Sequence, residues 1–176
     1  HNLATGSPLI VGDILYTLTS NGVDEGHVNI PSPFSPAVIA VDKNTGELLW
    51  ESNPVGENVL HGAWTNPAYG VINGRAQVVF AGGNGVIYSL DAETGDLIWE
   101  FDCNPKDAEW ILGGRGTRNN VLATPVIYDN KVYIGVGQDP EHGEAPGHFY
   151  AIDATGTGDV TDTHTLWHRG GEDFYR

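Results

Sequence analysis

The sequence predicts an all-β protein made of β-propeller blades, each a four-stranded antiparallel sheet. The strongest indication is a repeated segment: DKNTGELLW at 42–50 returns as DAETGDLIW at 91–99, and similar apolar runs precede both copies. Glycine and proline, with 24 and 10 of the 176 residues, exceed their usual share and indicate many turns between short strands. No segment shows convincing helical spacing of its apolar residues.

The repeated segment is one part of a longer unit that occurs three times. Each unit holds a proline, two short apolar strands joined by a tight turn, a third strand, an aspartate-containing turn and a last strand with tryptophan. We place the units at about 7–60, 61–115 and 116–170, within one partial propeller over residues 1–176. A single four-stranded sheet cannot bury both of its faces, whereas sheets stacked around an axis can.

Turn residues separate the first two strands of each unit. Positions 12–13, 73–74 and 129–130 hold Gly-Asp, Asn-Gly and Asp-Asn between apolar runs. These residue types tolerate the positive φ of tight hairpins, so each pair of strands is predicted to be a β-hairpin. The strands are rich in β-branched and aromatic residues, as in VIYSL at 86–90.

Each copy of the motif contains an aspartate, a glycine and a tryptophan: Asp42, Gly46 and Trp50; Asp91, Gly95 and Trp99; Asp153, Gly156 and Trp167. In the first two copies the aspartate is predicted to bind backbone N–H groups of the turn, and the glycine to adopt a left-handed conformation. The tryptophan ring is predicted to cover the seam between neighbouring blades. The third turn is six residues longer than the others.

These residues resemble the repeat of quinoprotein-type, or PQQ-like, β-propellers, whose pattern is A-x-D-x-x-x-G-[K/E]-x-x-W. Residues 40–50 match it fully, 89–99 match with small substitutions, and the third copy matches in part. The resemblance covers essentially the whole chain and includes bacterial BamB-like and planctomycete repeat proteins. Closed propellers need about four to eight blades, so three repeats predict a fragment of a larger propeller or a ring completed by other chains.

The resemblance implies two classes of function. Quinoprotein dehydrogenases hold pyrroloquinoline quinone (PQQ) and Ca²⁺ at the propeller axis, and many place an adjacent pair of cysteines against the cofactor. Cys103 is the only cysteine here, which disfavours that class. We therefore expect a non-enzymatic scaffold that contacts a protein or polymer partner through its loops and axial funnel. The alternative is a fragment of a PQQ- and Ca-dependent alcohol or sugar dehydrogenase; either implies a periplasmic or extracellular bacterial protein.

Charge and hydropathy exclude other classes. The net charge of −15, from 23 acidic and 8 basic residues, disfavours nucleic-acid binding because it repels phosphate. No apolar run approaches the ~20 residues that span a bilayer. The chain begins at His1 without a methionine, so we expect a processed or excised piece that associates with further blades or with itself.

Candidate ligand-binding residues lie in loops that enter the innermost strands and would line the axial funnel: His61, Trp64, Arg115, Arg118 and Asn119. The arginines could hold an anionic group, and the Trp64 ring could stack on a planar cofactor or a sugar. The alternative is structural: the arginines neutralise nearby carboxylates, and Trp64 closes a loop onto the core.

Two further loops have an unusual composition. The segment 138–148 offers imidazole and carboxylate groups as candidate metal ligands, namely Glu141, His142 and His148. A solvated loop is the alternative interpretation, because proline and glycine fill this segment. The 16-residue insertion at 21–36 carries Asp24, Glu25 and His27, and is a candidate lid or partner contact.

Overall fold

The structure is a computed structural model that describes residues 6–19, 21–112, 116–138 and 146–171, with three sheets stacked side by side. The first sheet contains β1 (Leu9–Val11), β2 (Ile14–Leu18), β3 (Val38–Asp42) and β4 (Leu48–Ser52). The second contains β5 (Ala68–Ile72), β6 (Arg75–Ala81), β7 (Val86–Asp91) and β8 (Leu97–Asp102), with a short fifth strand, β12 (Gly158–Asp159). The third contains β9 (Val126–Tyr128), β10 (Lys131–Val136), β11 (His148–Asp153) and β13 (Thr165–Gly170).

Each sheet is a propeller blade. Within the sheets the first four strands are antiparallel and follow one another in chain order. The first strands lie together at the centre, because β5 contacts both β1 and β9. The fourth strands β4, β8 and β13 therefore lie on the outside, with β12 added beyond β8 at the edge of the second sheet. The predicted all-β propeller fold is confirmed, and the described residues contain no helix able to cross a bilayer.

The hairpins between first and second strands use positive φ angles. Gly12 has a φ of 60°, and Asn73 and Gly74 have 48° and 78°. In the third sheet Asp129 and Asn130 adopt 49° and 58°. These side chains are compatible with the left-handed region, so the hairpins predicted from composition are present.

The seam between the first and second sheets is an apolar layer. Tyr16, Ala40 and Trp50 occupy neighbouring positions on one face of the first sheet. They pack against the facing side of the second sheet, where Val78 and Leu90 are fully buried. Small Ala40 leaves room for the two large rings beside it, which lie with centroids 5.8 Å apart. We call the surface of each sheet that carries the motif tryptophan its tryptophan face.

The seam between the second and third sheets follows the same plan with different contacts. Trp99 is fully buried and packs with Val132 and Ile152 of the third sheet. Its indole nitrogen donates to Gln77 Oε1 at 3.1 Å, within its own sheet. Cys103 is buried in the same layer, and burial raises the pKa of its thiol well above the ordinary value.

The longer third turn adds a strand that the sequence did not indicate. The Asp153 N–H donates to the His164 carbonyl at 2.8 Å, as Asp42 does to Glu47 in the short turn. The residues inserted between them reach the second sheet, where β12 pairs in parallel with β8. Gly158, at φ 71°, adopts the left-handed conformation in this insertion. Gly156 serves packing instead, since a Cβ there would lie 2.7 Å from Val160 Cγ1.

Two sheet faces have no sheet packed on them in the described part of the chain. The first sheet presents a row of apolar side chains on its outer face: Ile10, Leu15, Val41 and Leu48. The third sheet presents its tryptophan face, with Val126, Tyr133, Ala151 and Trp167. Further blades of a longer propeller would cover these faces.

The antiparallel order of the strands separates the connections into two ends. The tight hairpins and the aspartate-containing turns lie at one end, which we call the turn end. The connections that vary between the repeats lie at the opposite end, the loop end. Its described parts are 19, 21–37, 53–67, 82–85, 103–112, 116–125, 137–138 and 146–147.

Candidate functional site

Among the described residues, the loop end contains five that the sequence singled out, namely His27, His61, Trp64, Arg118 and Asn119. Within the insertion, His27 Nε2 lies 2.8 Å from His61 Nε2 of the next connection, so one imidazole donates to the other. His61 is almost completely buried, and His27 has a φ of 56°. The structure thus joins two histidines that are 34 residues apart in the chain.

Trp64 packs against this histidine pair. Its ring meets the His61 imidazole edge-on, with centroids 4.5 Å apart and an interplanar angle of 83°. The position of Trp64 therefore matches the structural alternative, in which the ring closes a loop. Its proposed role in stacking on a ligand stays a prediction.

Arg118 is held by a carboxylate. Its Nη2 donates to Asp102 Oδ2 at 3.3 Å, across the connection between the second and third sheets. The Arg118 Nε–H is buried and has no hydrogen-bond partner among the described residues. Arg118 therefore neutralises an acidic neighbour and keeps one donor available.

Three asparagines fix the inner part of the loop end. The Asn119 N–H donates to Asn104 Oδ1 at 2.6 Å, and Asn104 Nδ2 donates to the Asn84 carbonyl at 3.0 Å. Asn119 Nδ2 in turn donates to the Cys103 carbonyl at 3.1 Å. These bonds help to order the connection, because each amide satisfies a backbone group.

His148 lies in a stack of rings on the third sheet. Its Nδ1 is 3.0 Å from His168 Nε2, and the Tyr150 ring stacks on His168 with centroids 4.4 Å apart. Burial lowers the pKa of His148, with a further contribution from His168, and burial also lowers the pKa of His168. Both imidazoles are thereby kept neutral near pH 7, the form that donates and accepts.

A cavity of about 600 Å³ connects two of the predicted sites. Asn119 and His148 both line it, together with Asp107, Glu109 and Thr117. Sequence separation hides this proximity, because Asn119 lies in the connection between β8 and β9 and His148 begins β11. The cavity offers acceptors, donors and one neutral imidazole to a ligand or to a partner side chain.

Three of the predicted site residues, Arg115, Glu141 and His142, lie outside the described residues. Over the part of the chain that the structure describes, no group of three or more His, Cys, Asp or Glu side chains could hold a metal ion. The predicted metal site at 138–148 stays a prediction.

Two hydrogen bonds link the three repeats at the residue before each repeat's proline. The Ser7 N–H donates to Asn66 Oδ1 at 2.5 Å, and Asn66 Nδ2 donates to Thr124 Oγ1 at 2.7 Å. The three residues occupy equivalent positions in SP, NP and TP at the start of the units. The polar residue before each proline could have indicated these hydrogen bonds between repeats, but sequence analysis missed it.

The loop end also exposes apolar side chains. Phe34 is 89% exposed at the tip of the insertion, and the connections add Val28, Trp110, Ile111 and Leu122. The Phe34 tip is held in place, since Asn21 Nδ2 donates to the Ser32 carbonyl at 2.6 Å and Asn53 Nδ2 to the Pro33 carbonyl at 2.8 Å. An ordered loop that displays an aromatic ring is typical of a binding surface.

Comparison with protein families gives a match over most of the chain. The PQQ-like repeat family described as outer membrane protein assembly factor BamB matches residues 35–171.

Two bacterial relatives are dehydrogenase subunits of quinone-dependent alcohol dehydrogenases. The subunit of Gluconobacter oxydans is 32% identical over 134 residues, or 75% of this chain, and that of Komagataeibacter europaeus is 31% identical over the same length. The chain spans 16% of the length of each relative.

Solved structures share the fold. A quinohemoprotein alcohol dehydrogenase from Pseudomonas putida HK5 superposes with a TM-score of 0.64 at 21% identity, over 96% of this chain and 21% of that one. A europium-containing methanol dehydrogenase gives 0.61 at 20% identity, over 97% of this chain and 26% of that one.

Proposed function

Because the chain belongs to the family described as outer membrane protein assembly factor BamB, we propose that it is a non-enzymatic binding module of a larger propeller. The observation that carries the proposal is the loop end, where exposed apolar side chains accompany a cavity of about 600 Å³. The repeated motif, by contrast, is used for turns and seams. We place the protein in the bacterial periplasm, in line with the description of the family.

The partner is proposed to be a protein with an apolar pocket and basic residues around it. An aromatic side chain on an ordered loop contributes contact area at a small entropic cost. The net charge of −15 favours a basic partner, because complementary charge speeds encounter and repels acidic competitors. Asp24 and Glu25 stand in the same insertion as Phe34 and carry this charge to the binding surface.

Site-specific photocrosslinking in the full-length protein tests this proposal. A photoreactive amino acid at Phe34 samples the loop end, and the same group at Asn44 samples the turn end. We expect a defined protein adduct from position 34 in the native compartment, and little adduct from position 44. Equal adducts from both positions, or none from position 34, would contradict the proposal.

A part of a quinone-dependent dehydrogenase is the second candidate, favoured by the 32% identity to the Gluconobacter oxydans subunit. The candidate cofactor residues that the structure describes make contacts within the chain. PQQ is a planar, multiply negative molecule, yet the Arg118 guanidinium is paired with Asp102, and the Trp64 ring meets His61 edge-on. Cys103 is buried and lies within the seam. In this candidate the chain would contribute blades, and groups outside the described residues would hold the cofactor.

Reconstitution separates the two candidates. PQQ and Ca²⁺ are added to the full-length protein, and cofactor absorbance and dye-linked alcohol oxidation are measured. Stoichiometric cofactor with turnover would overturn the binding-module proposal. Absence of both would overturn the dehydrogenase candidate.

A further inference from the structure

A second, polar groove lies at the loop end of the second sheet, on the side that faces the first sheet. It has a volume of about 380 Å³, and its lining includes Asn58, Asn84, Tyr88, Glu100, Arg118 and Asp159. Glu100 and Asp159 stand at paired positions of β8 and β12, the strands farthest from the axis in the second sheet. The groove shares no lining residue with the cavity of about 600 Å³, and the proposed partner contact through Phe34 does not use it.

Tyr88 brings a buried hydroxyl to this groove. The residue is 2% exposed, and its oxygen accepts a hydrogen bond from Asn84 Nδ2 at 2.8 Å. The amide orientation is fixed, because Asn84 Oδ1 accepts from the Val86 N–H at 3.2 Å. The Tyr88 hydroxyl proton is therefore still available, and none of the described residues accepts it. Burial is the main reason that the pKa of Tyr88 is raised to about 12, so the proton stays on the oxygen.

The Glu100 carboxylate supplies a hydrogen-bond acceptor beside the Tyr88 donor. Glu100 is the cross-strand neighbour of Tyr88, and its carboxylate receives no hydrogen bond from the residues that the structure describes. The neighbouring acids are engaged. Asp102 accepts from Asn104 and Arg118, and Asp159 accepts from the Thr161 N–H and hydroxyl.

The groove thus places donors without acceptors beside an acceptor without a donor. The donors are the Tyr88 hydroxyl and the buried Arg118 Nε–H, and the acceptor is the Glu100 carboxylate. A hydroxyl group fits both needs at once, because it accepts through its oxygen and donates its proton. An ammonium group would satisfy Glu100 alone, since it has no acceptor for Tyr88. An anion would be repelled by the carboxylates.

We propose that this groove binds a polyhydroxy compound of about hexose size, with its hydroxyl groups bonded to Tyr88, Glu100 and Arg118. The volume is at the small end of the range of about 300–1,000 Å³ typical of ligand sites, which suits one sugar ring. Neutral sugars and amino sugars both carry hydroxyl groups of this kind, so both classes fit the groove.

Calorimetric titration of the full-length protein with D-glucose, D-glucosamine and methylamine tests the proposal. Tyr88→Phe removes one oxygen and keeps the ring, and Glu100→Gln keeps the shape and removes the charge. Each variant is expected to weaken sugar binding by roughly fivefold or more, as the loss of a buried hydrogen bond would. Tyr150→Phe and Glu93→Gln are matched controls outside the groove, and should bind as the unmodified protein does.

Sugar binding at millimolar concentrations that both groove variants weaken supports the proposal. Tighter binding of glucosamine than of glucose would support the proposal and would show that the groove prefers amino sugars to neutral sugars. Methylamine binding as tightly as glucosamine would overturn the proposal in favour of simple ammonium recognition. Sugar binding unchanged in both variants, or absent in the unmodified protein, would also overturn it.

Discussion

The indole Nε1 of Trp50 donates a hydrogen bond to the backbone carbonyl of Ala92, 3.0 Å away. The bond joins the outer strand of one blade to the turn of the next, so one copy of the repeated motif binds its neighbour. The Tyr16 hydroxyl donates to the same carbonyl at 3.1 Å. Two side chains of the first sheet thus converge on one acceptor of the second, and they fix the sheets relative to each other.

Replacing Trp50 by phenylalanine should destabilise the protein by about 2 kcal/mol. The change removes one buried hydrogen bond and part of a buried ring. Trp167→Phe is the matched control, because Trp167 is 40% exposed on an uncovered face. Its cost should stay below about 1 kcal/mol in this chain. Urea unfolding followed by circular dichroism measures both, and equal costs would contradict the role given to the first seam.

Alanine substitutions at Gly95 and Gly46 should separate the cost of backbone strain from the cost of a packing clash. The two glycines adopt nearly the same left-handed φ, 77° and 76°. A Cβ on Gly95 would lie 2.6 Å from the Trp50 ring, whereas a Cβ on Gly46 would have no atom within 4 Å. Gly46→Ala should therefore cost about 1–2 kcal/mol from backbone strain alone. Gly95→Ala should cost roughly 1–3 kcal/mol more, because the ring must move.

The free energy of unfolding reports this difference by denaturant titration of the two variants under the same conditions. Similar losses of stability would show that the Trp50 ring moves aside freely. In that case the seam would not depend on the close approach of the ring to the turn.

Glu100→Gln should raise stability at neutral pH. Burial, followed by repulsion from Asp159 and Asp102, raises the pKa of Glu100 above its ordinary value. An acid with a raised folded-state pKa makes folding less favourable once pH exceeds that pKa, and this penalty disappears as pH falls below the unfolded-state value. The variant should thus be the more stable at pH 7 and equal to the unmodified protein in acid.

Thermal unfolding between pH 7 and acid pH, with Glu93→Gln as a control, tests the sign of this stability difference. A difference between Glu100→Gln and the unmodified protein that grows as the pH falls would contradict the prediction. The same substitution is expected to weaken sugar binding, so a more stable variant with lower affinity would separate binding from folding.

The uncovered faces should cause self-association of the 176-residue chain. The first sheet offers a row of apolar side chains, and the third offers Trp167 and Phe149 on its tryptophan face. Sedimentation velocity should show a mass that rises with concentration. Trp167→Asp should reduce the association, whereas Phe34→Asp at the loop end should not. A monomer at all concentrations would contradict this expectation.

Sequence analysis predicted the fold because its signals are local. The turn residues at 12–13, 73–74 and 129–130 specify hairpins whatever surrounds them, and the positive φ angles agree. The small fifth strand of the second sheet was not predicted. Gly158–Asp159 pairs with β8 only because the long third turn lies against a neighbouring blade. Two residues without apolar character give no strand signal of their own.

The candidate site was predicted only as a set of loops. Asn119 and His148 were selected separately, and their common cavity depends on how the connection between β8 and β9 folds beside the start of β11. The groove with Tyr88 and Glu100 was missed, since both residues sit in ordinary strand positions. Only the pairing register and the fixed Asn84 amide reveal a donor and an acceptor that lack partners.

The sequence by itself determined the blades: the period of the motif, the turn residues and the apolar strands all act within one repeat. The tertiary structure decided what each copy of the motif does. Trp50 donates to a neighbouring blade, Trp99 donates within its own sheet, and Trp167 lies on an uncovered face. The reason is physical, because a hairpin is specified by its own residues. A seam depends on the surface that the next blade places against it.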